Sequence, residues 1–329
     1  MKQMRDLELP SEYAKVLTRM FVRALYEGAA DQLRRYQQAF VTGGQINRNV
    51  VGIAEESVYQ HSCSNRVLMY LLFLDSSKGF NMMSSEWIQW VLRHACLSAC
   101  LLCGIDCLMH NRVAYLCMSG SVLPGVCFSS AYSQGHPLSV YSFIFGADPF
   151  LRKAATIPGV HKAWGFCDDW KFSISAHLAL APLIALIRVF ECVSDQVVNA
   201  NKTVWILNRE LDLGEVHELQ CAWPDAKNAT KHKSFGFWFG PDATLHDVLP
   251  EPLCEMRSRL ARFRQHNMSL ASRILAWNVF VLPLLSYVFR FVLVSGNAMQ
   301  AIRQFGLSFM TRVPWCPFHV LCHSKTLFK

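Results

Sequence analysis

Two adjacent carboxylates stand inside an aromatic run, Trp164-Gly165-Phe166-Cys167-Asp168-Asp169-Trp170-Lys171-Phe172, and no other stretch restricts the fold as much. Trp164 and Phe166 alternate before the pair, and Trp170, Phe172 and Ile174 alternate after it, which is the period of a half-buried strand. The pattern predicts a β-hairpin with Asp168-Asp169 at its tight turn, where Asp is favoured for backbone reasons alone. Both flanks are apolar, so two like charges are held at the edge of a core. Charges so placed need a partner, and for clustered carboxylates the common one is a hard divalent cation.

A third carboxylate has a comparable setting. The continuous apolar run 67–74 predicts a strand covered on both faces, and it ends in Asp75. A carboxylate there sits at the tip of a rigid element, although taken alone it is better explained as capping the following turn. Upstream, apolar residues at helical spacing predict a helix over 11–40, closed by Gly43-Gly44, and a second helix from Asn47 to about Gln60. After Asp75 a turn leads to a helix from about Ser84, with Trp87, Ile88, Val91, Leu92 and Ala95 on one face. If that helix continues through Cys96, Cys100, Cys103 and Cys107, the outer two thiols lie about 16 Å apart along its axis. One tetrahedral ion with bonds of about 2.3 Å cannot collect them, so core packing is the better reading. The ligand-rich tail, Cys316-Pro317-Phe318-His319-Val320-Leu321-Cys322-His323, is spaced too tightly for a familiar finger.

Further on, Ser133-Gln134-Gly135-His136-Pro137 predicts a loop opening into a helix at Pro137. A packed helix is expected over 176–193, a strand over Val204-Trp205-Ile206-Leu207, a ribbon around Phe235–Gly240, and mainly helix from Pro252 onward. The hydrophobic share of 52% against 17% charged raises a membrane question. The best spanning candidate, 274–289, is fenced by Arg273 and Arg290 and interrupted by Asn278 and Pro283. It is short of the roughly 20 apolar residues a span needs and reads as a buried helix. The first residues lack an apolar h-region, so no secretory signal is expected. Thirteen Cys, an odd number, suit reduced thiols in an intracellular compartment. The net charge of +8 permits a polyanionic partner, and Arg257, Arg259, Arg262, Arg264 and Arg273 concentrate it in the C-terminal region. A solvated helix face accounts for the same cluster.

Six islands, in order, resemble the reverse transcriptase domain of non-LTR (LINE-type) retrotransposons across roughly residues 13–315. Gln38-Ala39-Phe40-Val41-Thr42-Gly43 resembles the fingers segment Q-x-x-F-x-x-G-R, and Leu74-Asp75-Ser76-Ser77-Lys78-Gly79-Phe80-Asn81 the first catalytic motif. Gln134-Gly135-His136-Pro137-Leu138-Ser139 is similar to Q-G-x-P-L-S, Phe166-Cys167-Asp168-Asp169 to the Y/F-x-D-D box, and Asn199-Ala200-Asn201-Lys202-Thr203 to N-x-x-K-T/S. Residues 269–287, with Arg273, Pro283 and Tyr287, resemble the helical thumb.

The resemblance implies an α+β right-hand polymerase fold: partial fingers over 1–66, an antiparallel palm sheet packed on helices over 67–245, and a helical thumb with tail over 246–329. It implies RNA-directed DNA polymerisation, with Asp75, Asp168 and Asp169 holding two Mg²⁺ ions. Phe80 would stack under the sugar, Gln134 and Gly135 would meet template and incoming nucleotide, and Lys202 would sit near the triphosphate. Arg257, Arg259, Arg262 and Arg264 would track duplex phosphates. The implied partners are an RNA template, a DNA primer and deoxynucleoside triphosphates, with no membrane, and the implied location is nuclear. Asn81, Gly79, Ser133 and Gly44 depart from the family's residues, which suits a degenerate copy. A catalytically inactive nucleic-acid-binding relic and a group II intron maturase-like protein are the alternatives.

Overall fold

The computed structural model describes residues 12–33, 35–41, 43–62, 68–77, 82–95, 97–109, 112–115, 117–123, 125–128, 136–210, 213–224, 226–292 and 296–311. Of the expected site residues, Phe80, Gln134 and Gly135 lie outside them, as does the Cys/His tail. The chain divides into two units, Met1–His232 with Phe239–Pro241, and Lys233–Trp238 with Asp242–Lys329.

The first unit is an α+β layer structure around one sheet. Helices α1 (Glu12–Leu33) and α2 (Ile46–Ser62) precede the central strand β1 (Met69–Ser77). Then come α3 (Ser85–His94), α4 (Ala99–Met109), α5 (Pro137–Ala154), β2 (Val160–Phe166), β3 (Asp169–Ser175) and α6 (Ala176–Ser194). Two short strands, β4 (Val197–Val198) and β5 (Val204–Leu207), helix α7 (Leu213–Ala222) and strand β6 (Lys227–Ala229) follow, and two small ribbons, Arg112–Ala114 with Val126–Phe128 and Cys117–Met118 with Ser121–Val122, lie apart from the main sheet. The sheet order is β6-β5-β1-β3-β2, with β4 pairing the end of β1. Strand β1 is antiparallel to both β3 and β5.

The sheet is mixed, not purely antiparallel. Strand β6 runs parallel to β5, because the chain returns to it through α7, and a helical crossover delivers a parallel neighbour. Helix α1 ends at Leu33, short of the expected 40. The backbone of 36–38 is drawn into the sheet edge instead, with Gly165 N donating to Tyr36 O (2.7 Å) and Gln38 N to Gly165 O (3.0 Å). The single helix expected through the cysteines is two. Ser98 starts the second, its hydroxyl accepting from Leu101 N (3.3 Å) and its carbonyl from Leu102 N (3.0 Å), and a Ser at that place satisfies amides that have no helical partner.

Alternation gives the sheet two different faces. Tyr70, Leu72 and Leu74 of β1 lie opposite Ile174, Phe172 and Trp170 of β3, and all six are buried in the main core. There Trp170 meets Phe150 of α5 and Phe190 of α6, with ring centroids 5.1 and 5.6 Å apart. The other face carries Leu71, Phe73 and Asp75 opposite Ser173, Lys171 and Asp169. Helix α2 covers its far end through buried polar side chains. Ser173 Oγ donates to Glu56 Oε1 (2.6 Å) and accepts from Gln60 Nε2 (3.0 Å), while Asn208 ties Gln60 O to Met69 N. Ser173→Ala leaves both partners short of a bond in a buried place, so an expected loss of about 1–3 kcal/mol should appear in urea denaturation.

The second unit is helical. Helix α8 (Leu245–Val248) leads into α9 (Pro250–Arg264), and α10 (Leu270–Ala276) runs through a π-helical turn, Trp277–Val281, into α11 (Leu282–Val288). Helix α12 (Gly296–Thr311) follows. Met256, Leu260, Trp277, Val281, Leu285, Ile302 and Phe309 form its core. The segment Leu270–Val288 is long and apolar enough to cross a membrane, and only 28% of its most apolar window is buried. It is therefore not the buried helix the sequence suggested. This small unit covers one stripe of it and leaves Leu275, Val279, Phe280 and Leu282 exposed.

Candidate active site

The β2–β3 hairpin closes through two residues, Cys167 and Asp168, since Phe166 already pairs with Asp169. The sequence placed Asp169 in the turn; it is instead the first residue of β3. Cys167 takes the strained first position with φ +58°, a conformation in which most side chains clash. The register then sets Asp169 directly opposite Asp75. Residues facing each other across antiparallel strands have Cβ atoms about 4.5–5.5 Å apart, so two carboxylates distant in sequence meet on one face. Asp168, half-buried one residue earlier, has its carboxyl pushed up, first by burial and then by the charges of Asp169 and Asp75.

Two ammonium groups stand among these acids. Lys202 Nζ lies 2.9 Å from Asp75 Oδ2, brought there by the 3₁₀ turn Ala200–Lys202, which Asn199 N anchors to Asp75 O (2.8 Å). Lys171 Nζ lies 3.8 Å from Asp169 Oδ1, its side chain only 2% exposed. Burial lowers the Lys171 ammonium to about 8, against the attraction of Asp169, Asp168 and Asp75. His232, half-buried, sits with its ring 4.8 Å from that of Phe73. Burial and then the charge of Lys171 hold its imidazole below the ordinary histidine range.

Among the described residues no three His, Cys, Asp or Glu side chains are gathered closely enough to hold an ion by themselves. Asp75 and Asp169 nevertheless suit a hard cation. Both are oxygen donors, 32% and 47% exposed, although an ion there would compete with the ammonium groups of Lys202 and Lys171. Mg²⁺ is commonly bound by one or two carboxylates, with water and substrate phosphate completing its shell.

The arginines of α9 are largely engaged within their own unit. Arg259 bonds Glu255 and the Phe280 carbonyl of the π-helical turn, the latter at 2.7 Å. Arg262 donates to Ser258 Oγ, Arg264 to Ser308 Oγ, and Arg257 lies over the Phe305 ring. Arg257, Arg262 and Arg264 are exposed, while Arg259 is half-buried.

No protein-family model matches this chain, and no curated protein matches it. Solved structures do. Telomerase from Candida tropicalis, in complex with a TWJ fragment of telomeric RNA, aligns with TM-score 0.54 and 12% identity, over 88% of this chain and 46% of that one. Telomerase from Candida albicans, in complex with the same kind of fragment, aligns with TM-score 0.53 and 11% identity, over 94% and 50%. The fold is reverse-transcriptase-like. This chain spans about half the length of the telomerases it matches, and at such identity the likeness is of fold alone.

Three residues around this site escaped the sequence reading. Lys171 was visible as a lone cation between Trp170 and Phe172, but which face it takes depends on register. Gln37 was signalled by its spacing to Phe40, which fits Q-x-x-F better than Gln38 does. His232 gave no signal.

Proposed function

We propose that this chain is the RNA-directed DNA polymerase domain of a LINE-type retrotransposon, adding deoxynucleotides to a DNA primer on an RNA template. The observation that carries the reading is Asp75 opposite Asp169 across neighbouring strands of a reverse-transcriptase-like fold, with Asp168 in the adjoining turn. These three would hold two Mg²⁺ ions. Bound there, the metal would polarise the transferred phosphate and favour the ionised primer 3′-oxygen. The protein's part is to hold oxygens on a rigid sheet. Lys202, whose side chain is 65% exposed, can leave Asp75 and follow an incoming triphosphate as a mobile point charge. Lys171 stays behind as a buried counter-charge to the acids. Phe80, Gln134 and Gly135 are assigned to sugar, template and nucleotide, and Arg257, Arg262 and Arg264 to duplex phosphates. Primer extension on an RNA template with Mg²⁺ tests the proposal; extension that persists in Asp168→Ala would contradict it.

The two lysine–aspartate pairs favour a second reading, a nucleic-acid-binding relic of the same fold whose acids are permanently neutralised. It predicts salt-dependent binding of an RNA–DNA duplex without extension at any Mg²⁺ concentration.

A further inference from the structure

The turn that carries Asp168 is gripped from outside the hairpin. Gln37 is fully buried, and its side-chain amide spans the backbone of Cys167. Oε1 accepts from Cys167 N (2.8 Å) and from Ala39 N (3.1 Å), and Nε2 lies 3.4 Å from Cys167 O, to which it donates. The same carbonyl accepts from Trp170 Nε1 (2.9 Å). The strap bearing Gln37 is itself fixed beside Gly165, whose carbonyl accepts from Gln38 N and from Asn49 Nδ2, both at 3.0 Å. A Cβ on Gly165 would stand 3.2 Å from both Tyr36 O and Gln37 Nε2, and 2.8 Å from Leu151 Cδ1. The absence of a side chain there is what lets the strap approach.

We propose that Gln37 is a positioning residue for the catalytic turn: it holds Cys167 in its left-handed conformation and thereby sets Asp168 and Asp169 against Asp75. This rests on reading those acids as the catalytic group. A non-Gly residue at positive φ persists only where its surroundings over-determine it. Here the determining group is an amide reaching in from 130 residues away.

The test compares wild type with Gln37→Met, which keeps the volume and loses the bonds. Two readouts are taken on the full chain, hydrogen exchange of the Cys167 amide and Mn²⁺ binding followed by electron paramagnetic resonance. Gln37→Met is expected to exchange the amide at least about tenfold faster and to bind Mn²⁺ about tenfold more weakly, as for one buried bond left unmade. Adding Cys167→Gly should restore Mn²⁺ binding, because glycine adopts positive φ without strain. A side chain that merely fills space would show no such rescue. Unchanged exchange or unchanged Mn²⁺ affinity in Gln37→Met overturns the proposal. If that variant does not fold, failure of Cys167→Gly to restore folding does the same. Mn²⁺ binding that survives Asp169→Ala overturns the catalytic reading, and the role of Gln37 with it. Binding lost in Asp169→Ala but untouched by Gln37→Met overturns only the grip.

Discussion

Asp169→Ala is expected to lower Mg²⁺-dependent primer extension by roughly 10²–10³-fold, the scale at which one preorganised electrostatic contact to a transition state is felt. The same loss should follow Asp75→Ala. If the two act on one metal charge from opposite strands, as proposed, the double variant should fall little further than either alone, as for residues that work as a unit. Both acids are partly exposed, so folding should survive each change. The surface pair of Asp75 with Lys202 contributes no more than about 1 kcal/mol, and thermal denaturation run beside the assay separates lost chemistry from lost fold. Additive losses, or a loss confined to one of the two, would show that the opposed register has no catalytic meaning.

Lys171→Met should make the protein more stable. Burial lowers this ammonium to about 8 from the ordinary lysine value of 10.5, even with three carboxylates attracting it. Below about pH 8 the group is charged in both folded and unfolded chains, so the full cost of burying it is present. Between 8 and 10.5 the folded form sheds its proton first and the cost fades. At about 1.4 kcal/mol per pH unit, and discounting for the loss of counter-charge to Asp169, the gain at pH 7 should be about 2–3 kcal/mol. Urea midpoints measured from pH 6 to pH 10 should show that gain shrinking steadily above pH 8. A loss of stability at pH 7 would mean that the acids need the lysine more than burial penalises it. A protein that keeps such a group against its own stability commonly does so for function.

The parts of this fold that were legible in the sequence are those where one local pattern decides. The apolar run ending in Asp75 is a strand because both its faces are covered, by the main core that takes in Tyr70, Leu72 and Leu74 behind and by α2 and the His232 ring in front. The period of Trp170, Phe172 and Ile174 is that of a strand with one face wholly in the core. What stayed hidden depends on partners distant in the chain. Lys227-Asn228-Ala229 has no apolar pattern and becomes a strand only because Val204–Leu207 offers an edge. The fate of Lys171 follows from pairing with Phe73 and Trp164, which periodicity within β3 cannot supply. Gln37 sits in a loop whose composition says only that a helix has ended. The segment 274–289 was misread for a related reason: its shortness and its Asn278 and Pro283 argued for a buried helix, but the amount buried depends on what else its unit contains.

The place of β1 in the sheet has a consequence for partial unfolding. It pairs with β3 over Met69–Asp75 on one side, and with β5 over Tyr70–Phe73 and β4 over Ser76–Ser77 on the other, so loss of the β6–β5 edge would leave Asp75 still opposite Asp169. Interior strands exchange their amides last, near the free energy of global opening. A protease nicking the outer helices would therefore release them well before it separated β1 from β3, and Asp75 and Asp169 would lie together in the most durable portion of the molecule.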